Sequence, residues 1–144
     1  MRTRRLVSAV GFAGALILAG SVSMSAHHAF SAEFDANKPI KLTGKVTKIE
    51  WTNPHVWFYI NVKDEKTGEL TNWGAEMGPP QGLQRRGWRR ETLKIGEEVT
   101  VSGSLAKNGS KRMNARQVTM ASTGGRPGET LDANSSEGNT RSSN

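Results

Sequence analysis

The sequence contains no cysteine among its 144 residues. Disulfide bonds, thiolate metal sites and thiol nucleophiles are therefore excluded, and packing and hydrogen bonds must hold the folded domain together. Familiar catalytic motifs are missing too, since there is no nucleophile elbow, no paired-carboxylate spacing and no phosphate-binding loop. Asp35, Glu50 and Glu76 are candidate acids, but no motif joins them. We therefore expect a protein that is not an enzyme.

Long apolar runs are also missing, except for one near the N-terminus. Three arginines within the first five residues precede an uncharged apolar run at residues 6–20, and small residues follow up to Ala26. This order is typical of a cleavable secretory signal peptide, and the run is short for a membrane span. We expect residues 1–26 to be a signal peptide of the general secretory route. The mature protein is then periplasmic and contacts the membrane only through that peptide.

The formal net charge is +7, from 20 basic and 13 acidic side chains. Removal of the three signal-peptide arginines leaves 17 basic against 13 acidic side chains, a net charge of +4. That balance suits an anionic ligand or an acidic protein partner. Export argues against nucleic acid as the partner.

Alternating apolar residues after the signal peptide predict five strands, at residues 40–49, 56–62, 70–77, 98–105 and 112–120. A short helix is predicted at residues 81–86, where a preceding proline favours helix initiation. This order predicts an all-β fold, a small five-stranded barrel of the oligonucleotide/oligosaccharide-binding (OB) type with one short helix after strand three. The barrel domain spans residues 27–121, and residues 122–144 form a disordered tail. A two-sheet sandwich is the alternative. The predicted core residues are Leu42, Val46, Val56, Phe58, Ile60, Val99, Val101 and Val118.

Residues 49–60 combine a predicted turn with a strand that carries two large aromatic side chains. The dipeptide Asn53-Pro54 indicates the turn, because the residue before a proline is disfavoured in helical conformation. In the following strand Trp57 and Tyr59 lie on the face opposite the apolar one. Exposed aromatic rings beside polar groups are typical of a binding surface, and packing of these rings under another segment is the alternative. The candidate ligand-binding residues here are Trp51, Asn53, His55, Trp57 and Tyr59.

A second candidate binding region is a cluster of four arginines around Trp88. Guanidinium groups suit carboxylate, phosphate or sulfate groups, and an exposed indole stacks on a ring or on an arginine. The alternative is a solvated loop whose arginines pair with neighbouring glutamates. The candidate ligand-binding residues here are Arg85, Arg86, Trp88 and Arg89, with Arg90 beside them.

Histidines near the mature N-terminus are candidate metal ligands. Cleavage after Ala26 exposes the amine of His27, and an amine followed by histidine offers nitrogen ligands to Cu(II), with His28 or His55 as a third nitrogen. Cleavage after Ser25 instead makes His28 the third residue of the mature chain. The amine, two backbone nitrogens and the imidazole of a third-position histidine suit a square-planar metal site. A solvent-exposed histidine pair that binds metal adventitiously is the alternative. The candidate metal ligands are therefore His27, His28 and His55, and copper is the candidate cofactor.

Several motifs occur together: H-H-A-F-S-A-E-F-D at residues 27–35, K-L-T-G-K-V-T at 41–47, W-T-N-P-H at 51–55, W-G-A-E-M-G at 73–78 and R-R-G-W at 85–88. Together they resemble a proteobacterial family of small exported proteins that is classed as a domain of unknown function. The resemblance implies an exported β domain and assigns no activity, ligand or catalytic residue. Our hypothesis is a non-catalytic periplasmic module that binds a ligand or partner of unknown specificity. The alternatives are a copper-binding protein and an OB-type binder of oligosaccharide or nucleic acid.

Overall fold

The computed structural model describes residues 30–122 and 128–134. The described chain is all-β and mostly antiparallel, with six strands and a short helix after the third. These elements are β1 (Phe34–Glu50), β2 (Trp57–Lys63), β3 (Leu70–Glu76), α1 (Pro80–Arg85), β4 (Glu98–Ala106), β5 (Arg112–Met120) and β6 (Glu129–Asp132). Residues 30–33, just before β1, are helical. None of the helices in the described ranges is long and apolar enough to cross a membrane. The predicted signal peptide, His27 and His28 lie outside the described residues.

The strands pair in the order β3-β2-β1-β4-β5-β6, and each of these neighbouring pairs is antiparallel. In addition, β3 pairs with β5 in parallel, where Gly74, Ala75 and Glu76 lie opposite Arg112, Met113 and Asn114. The first five strands therefore form a closed ring of pairings. This closure brings the beginning of β5 next to the end of β3.

Strand β1 is long and irregular because it pairs with β4 along its first part and with β2 along its last part. In the sequence, the apolar positions change parity between Val46 and Ile49, a pattern that predicts a bulge near Thr47. The register shifts there, between Val46 and Lys48. Gly44 lies against the neighbouring strand, since a Cβ at this position would be 2.5 Å from the carbonyl oxygen of Asn61. Only glycine allows this close approach.

The interior of the closed sheet forms the hydrophobic core. All of the predicted core residues are buried except Leu42, which is partly buried and packs against the core. The core also contains large side chains that the strand pattern does not assign to it: Trp51, Met77, Leu83, Trp88 and Met113. Several of these lie outside the strands, so the loop before β2 and the region around α1 close the ends of the core.

The prediction of five strands is wrong, because part of the predicted tail forms β6. Residues 129–132 pair with residues 117–120 of β5, and Ala133 is fully buried. The amide of Ala133 donates to the carbonyl of Arg116 at 2.9 Å, and its own carbonyl accepts from the amide of Gly78 at 3.0 Å. Residues 128–134 therefore belong to the folded domain and not to the disordered tail that the sequence pattern predicts. Residues 135–144 lie outside the described chain.

Candidate functional site

Two aromatic rings lie side by side on the outer surface of the sheet. Trp57 and Tyr59 alternate with the fully buried Phe58 along β2, and both remain partly exposed. Opposite Tyr59 on β3 is Gly74. A Cβ at Gly74 would be 3.3 Å from the Tyr59 ring and 3.5 Å from the Trp57 ring. Gly74 is buried, and the absence of a side chain at this position lets both rings pack closely over the β3 backbone.

A positive charge lies over each ring. The guanidinium carbon of Arg112 is 4.5 Å from the centroid of the Trp57 ring, and Lys48 Nζ is 5.3 Å from that of Tyr59. Both distances are within the range of cation–π interactions. Arg112 reaches this surface because the parallel pairing of β3 with β5 places it opposite Gly74. We call these five residues, Lys48, Trp57, Tyr59, Gly74 and Arg112, the aromatic face.

The two cations of the aromatic face differ in their partners. Lys48 Nζ lies 2.5 Å from Glu50 Oε1, and the Tyr59 hydroxyl donates to Glu50 Oε2 at 2.8 Å. The bond from Lys48, and then that from Tyr59, lowers the pKa of Glu50 and keeps it ionised. Burial raises the pKa of Tyr59, and the hydrogen bond to Glu50 raises it further. The hydroxyl of Tyr59 therefore keeps its proton and remains a donor. Among the residues that the structure describes, Arg112 has no carboxylate within 4.0 Å.

Beside the aromatic face, His55 pairs with a buried carboxylate. His55 Nδ1 contacts Glu76 Oε1, and Glu76 lies opposite Trp57 in the β2–β3 ladder. Burial raises the pKa of Glu76, while the charge of His55 and the hydrogen bond from it oppose this shift. The carboxylate of Glu33 raises the same pKa further and the charge of Arg112 lowers it. His55, Glu76, Glu33 and Arg112 therefore form one electrostatically connected group.

A cleft of about 400 Å³ lies between the segment before β1 and the turn that joins β4 to β5. Its lining consists of Ala32, Glu33, Phe34, Ala106, Lys107, Asn108 and Arg112. The amide of Lys107 donates to the carbonyl of Glu33 at 2.9 Å, and its ammonium group donates to the carbonyl of Ser31. Phe34 is buried and pairs with Ala106. These contacts hold residues 31–34 beside the cleft, which meets the aromatic face at Arg112.

Two of the predicted ligand-binding residues are core residues instead. Trp51 is only 9% exposed, and Trp88 is completely buried. The indole N–H of Trp88 donates to the carbonyl of Asp132 in β6 at 2.8 Å. Neither ring is available for stacking on a ligand, so the assignment of Trp51 and Trp88 to a binding surface is corrected. Asn53 is exposed in the turn, where its peptide bond to Pro54 is cis.

In the predicted arginine cluster, Arg85 and Arg89 line one hollow, and three of the four guanidinium groups bind backbone carbonyls. Arg86 donates to the carbonyl of Asn134, and Arg89 donates to the carbonyls of Gln84 and Trp88 at 3.1 and 2.8 Å. Arg90 donates to the carbonyl of Trp51 at 3.4 Å. These guanidinium groups hold loops and the segment after β6. In the described part of the chain, the exposed Arg85 has no such bond and no ion pair.

The structure therefore brings together His55, Trp57 and Tyr59 from the predicted set and adds three residues that the sequence reasoning missed. Lys48, Gly74 and Arg112 join them only through strand pairing. Gly74 lies within the W-G-A-E-M-G motif, whereas no quoted motif contains Lys48 or Arg112. Within the described ranges, no group of three or more histidine, aspartate or glutamate side chains is arranged to hold a metal ion.

The fold and site define a small, mostly antiparallel β domain with a cationic, aromatic outer surface. The chain belongs to a family of unknown function (DUF6152), whose model matches residues 15–115. This match confirms the resemblance to a domain of unknown function. No curated protein matches the chain. A similar solved structure is that of the mitochondrial single-stranded DNA-binding protein Rim1 from S. cerevisiae, with a TM-score of 0.48 and 10% identity. The similarity covers 60% of this chain and 96% of that one.

Proposed function

We propose that this protein is an exported, non-catalytic binding module that binds an acidic oligosaccharide on its aromatic face. The observation that carries the proposal is the position of Arg112. Its guanidinium group lies on the partly exposed Trp57 ring, 4.5 Å from the centroid, without an acidic partner among the described residues. A cation held in this way offers a binding site for an anionic group.

The chain topology supports an OB-type barrel as the scaffold. Such barrels have five strands in a Greek-key arrangement and bind oligonucleotides or oligosaccharides on the surface around strands 2 and 3. Here β3, β2, β1, β4 and β5 close through the parallel β3–β5 pairing, and α1 follows β3. Trp57, Tyr59 and Gly74 lie on β2 and β3. We therefore place the ligand across the outer surface of these two strands, with β6 as an addition next to β5.

The chemistry of the aromatic face favours a ligand that combines anionic groups with flat, weakly polar surfaces. A guanidinium that stacks on an indole has its plane fixed, and its N–H edge remains free for a carboxylate or sulfate. Lys48 is already bound to Glu50, so Arg112 supplies the principal charge. Trp57 and Tyr59 both remain partly exposed, so a sugar ring can pack against them. The Tyr59 hydroxyl lies beside the Glu50 carboxylate, but burial raises the pKa of Tyr59 and weakens it as a nucleophile, so the proposed role is binding without catalysis.

A fluorescence titration of the mature protein tests this proposal, since Trp57 lies at the site. The ligands are dextran sulfate, neutral dextran of the same length and a thymidine oligonucleotide. We expect dextran sulfate to bind and neutral dextran not to bind. Arg112→Gln removes one charge-assisted contact worth about 1.5–3 kcal/mol and should weaken binding roughly tenfold or more. Arg85→Gln is the matched control, because it removes the same charge from an exposed position and should change affinity less than about twofold.

Three outcomes contradict the proposal. If dextran sulfate does not bind, the aromatic face is not a site for an acidic oligosaccharide. Equal weakening by Arg112→Gln and Arg85→Gln would mean that only overall charge matters. If the oligonucleotide binds more tightly than dextran sulfate and its binding also depends on Arg112, the ligand is nucleic acid and not an oligosaccharide.

Export is part of the proposal and has its own test. The basic, apolar and small residues before His27 support signal-peptide cleavage after Ala26. We expect the intact mass of the periplasmic protein to correspond to a chain that begins at His27. A full-length mass in the membrane fraction would contradict export by this route.

A further inference from the structure

We propose that the ligand of the aromatic face extends into the neighbouring cleft, and that the sugar residue bound there carries an amino group that contacts Glu33. This inference rests on the proposed binding of an acidic oligosaccharide. It narrows the ligand class to acidic oligosaccharides that contain amino sugars, with Arg112 and Glu33 as the two charged contacts.

Arg112 connects the cleft with the aromatic face. Its guanidinium group lies over the Trp57 ring, 4.5 Å from the centroid, and the same side chain lines the cleft. Binding pockets for small molecules usually have about 300–1,000 Å³, and the cleft has about 400 Å³. It therefore has room for one sugar residue next to the one that packs against Trp57. An anionic group bound to Arg112 lies at the junction of these two sugar residues.

A carboxylate and a guanidinium group line this cleft without binding each other. Glu33 and Arg112 are both exposed, and their charged atoms are more than 4.0 Å apart. Among the residues that the structure describes, Glu33 has no basic side chain within that distance either. Both groups act on the buried Glu76, whose pKa Glu33 raises and Arg112 lowers. Their charges are therefore near one another, and a ligand with an anionic and a cationic group complements them better than a purely anionic one.

The rest of the lining leaves Glu33 as the acceptor for the cationic group and suits a sugar ring. Lys107 also lines the cleft, but its ammonium group donates to a backbone carbonyl of the segment before β1. The side-chain oxygen of Asn108 accepts from a backbone amide of its own turn at 3.0 Å, and its N–H groups are donors for a sugar hydroxyl. Ala32 and Ala106 add small apolar surfaces to the lining, against which the C–H groups of a sugar pack.

Backbone contacts hold Glu33 at the cleft. Its carbonyl accepts from the amide of Lys107 at 2.9 Å. The next residue, Phe34, is buried and pairs with Ala106 of β4. The main chain at Glu33 is therefore attached to the closed sheet before any ligand binds. Such preorganisation lowers the entropy cost of binding.

The test compares two forms of one polymer in a fluorescence titration of the mature protein. Carboxymethyl chitosan carries carboxylate and free amino groups, and its N-acetylated form keeps the carboxylates but has no charged amines. In mildly acidic buffer, which keeps the amines protonated, wild type should bind the free-amine form at least about threefold more tightly. General electrostatics predicts the opposite order, because the mature protein has a net positive charge and the acetylated polymer is the more negative one.

Two variants test the cleft. Glu33→Gln keeps the size of the side chain without its charge, and it should abolish the preference for the free-amine form. Ala32→Phe narrows the cleft without changing any charge, and it should reduce that preference as well. Glu65→Gln is the matched control, since it removes the same charge from an exposed position in the turn between β2 and β3 and should keep the preference. Thermal melts verify that the variants fold, and if one of the two cleft variants does not, the other decides.

Four results would overturn the inference. Binding of the acetylated polymer by wild type that is as tight or tighter would show that no amine is recognised. A preference that folded Glu33→Gln or folded Ala32→Phe retains would place the amine outside the cleft. Its loss in Glu65→Gln as well would mean that only overall charge matters. Tighter binding of a glutamate–lysine copolymer than of carboxymethyl chitosan would make the ligand a peptide.

Failure of this inference is distinguishable from failure of the proposed function. Dextran sulfate contains no amino group, so its binding to wild type and the effect of Arg112→Gln on that binding test the aromatic face alone. The comparison of the two chitosan polymers tests the cleft.

Discussion

Replacement of Trp88 by phenylalanine separates a core residue from a binding residue. The indole of Trp88 is fully buried and donates to the carbonyl of Asp132 in β6. Loss of this part-buried bond leaves the Asp132 carbonyl without the indole N–H, at about 1–3 kcal/mol. The smaller ring also leaves a void of roughly 40 Å³, which adds about 1 kcal/mol. We therefore expect Trp88→Phe to lower the free energy of unfolding by about 2–4 kcal/mol.

Trp57→Phe is the matched control, since it makes the same change on the partly exposed aromatic face. It should change stability by about 1 kcal/mol or less, as surface substitutions usually do. In a domain of this size each kcal/mol shifts Tm by roughly 4–8 °C, so Trp88→Phe should melt roughly 8 °C or more below wild type. Urea denaturation gives the free energies, and dextran sulfate titration of folded Trp88→Phe should give the wild-type affinity.

A Trp88→Phe protein with the stability of wild type would refute the argument that Trp88 belongs to the core and holds β6. An affinity for dextran sulfate that falls at unchanged Tm would also refute it, and would return Trp88 to the binding surface.

Phe58→Ala should lower the free energy of unfolding by about 3–5 kcal/mol, because Phe58 is fully buried, and a urea midpoint near wild type would contradict this. Gly103→Ala should lower the free energy of unfolding by about 1–3 kcal/mol, because the added Cβ would lie 1.9 Å from the carbonyl oxygen of Asn114. An unchanged melting curve would contradict this, because it would show that the backbone moves to make room for the methyl group. For Glu76, the raised pKa means that the folded state holds the proton more tightly than the unfolded state. As the pH rises from 4.5 through the raised pKa of Glu76, wild type should therefore lose stability relative to Glu76→Gln. A difference in unfolding free energy between the two proteins that does not depend on pH would contradict this.

The strand pattern predicts most of the fold because buried and less buried side chains alternate along much of the sheet, most clearly in β2 and in the first half of β4. The predicted range 112–120 coincides with β5, and the predicted bulge near Thr47 lies at the observed register shift. Strand β6 escapes prediction for a physical reason. It is only four residues long, and Leu131 is its one apolar residue; on the other side Thr130 contacts the hydroxyl of Thr119 at 2.9 Å. Such a strand has no apolar alternation, so its sequence is that of a flexible segment.

The candidate site is only partly predictable because its members come from distant parts of the chain. Alternation along β2 is sufficient to place Trp57 and Tyr59 on the outer surface. Arg112 joins them through the parallel β3–β5 pairing, which brings together residues far apart in sequence and has no local signal. Conversely, Trp88 stands among arginines, a composition that indicates a surface. Its burial depends on β6, which the sequence pattern does not predict.

The turn before β2 connects the core and the aromatic face within seven residues. Trp51 packs into the core at one end, and Trp57 begins β2 at the other. Between them, hydrogen bonds between Val56 and residues 77 and 78 tie the turn to the end of β3. This attachment holds His55 against Glu76 at the position where Glu76 faces Trp57. Because the main chain is fixed on both sides, side-chain substitutions at His55 and Trp57 should act locally, and Trp57→Ala should weaken dextran sulfate binding without unfolding the domain.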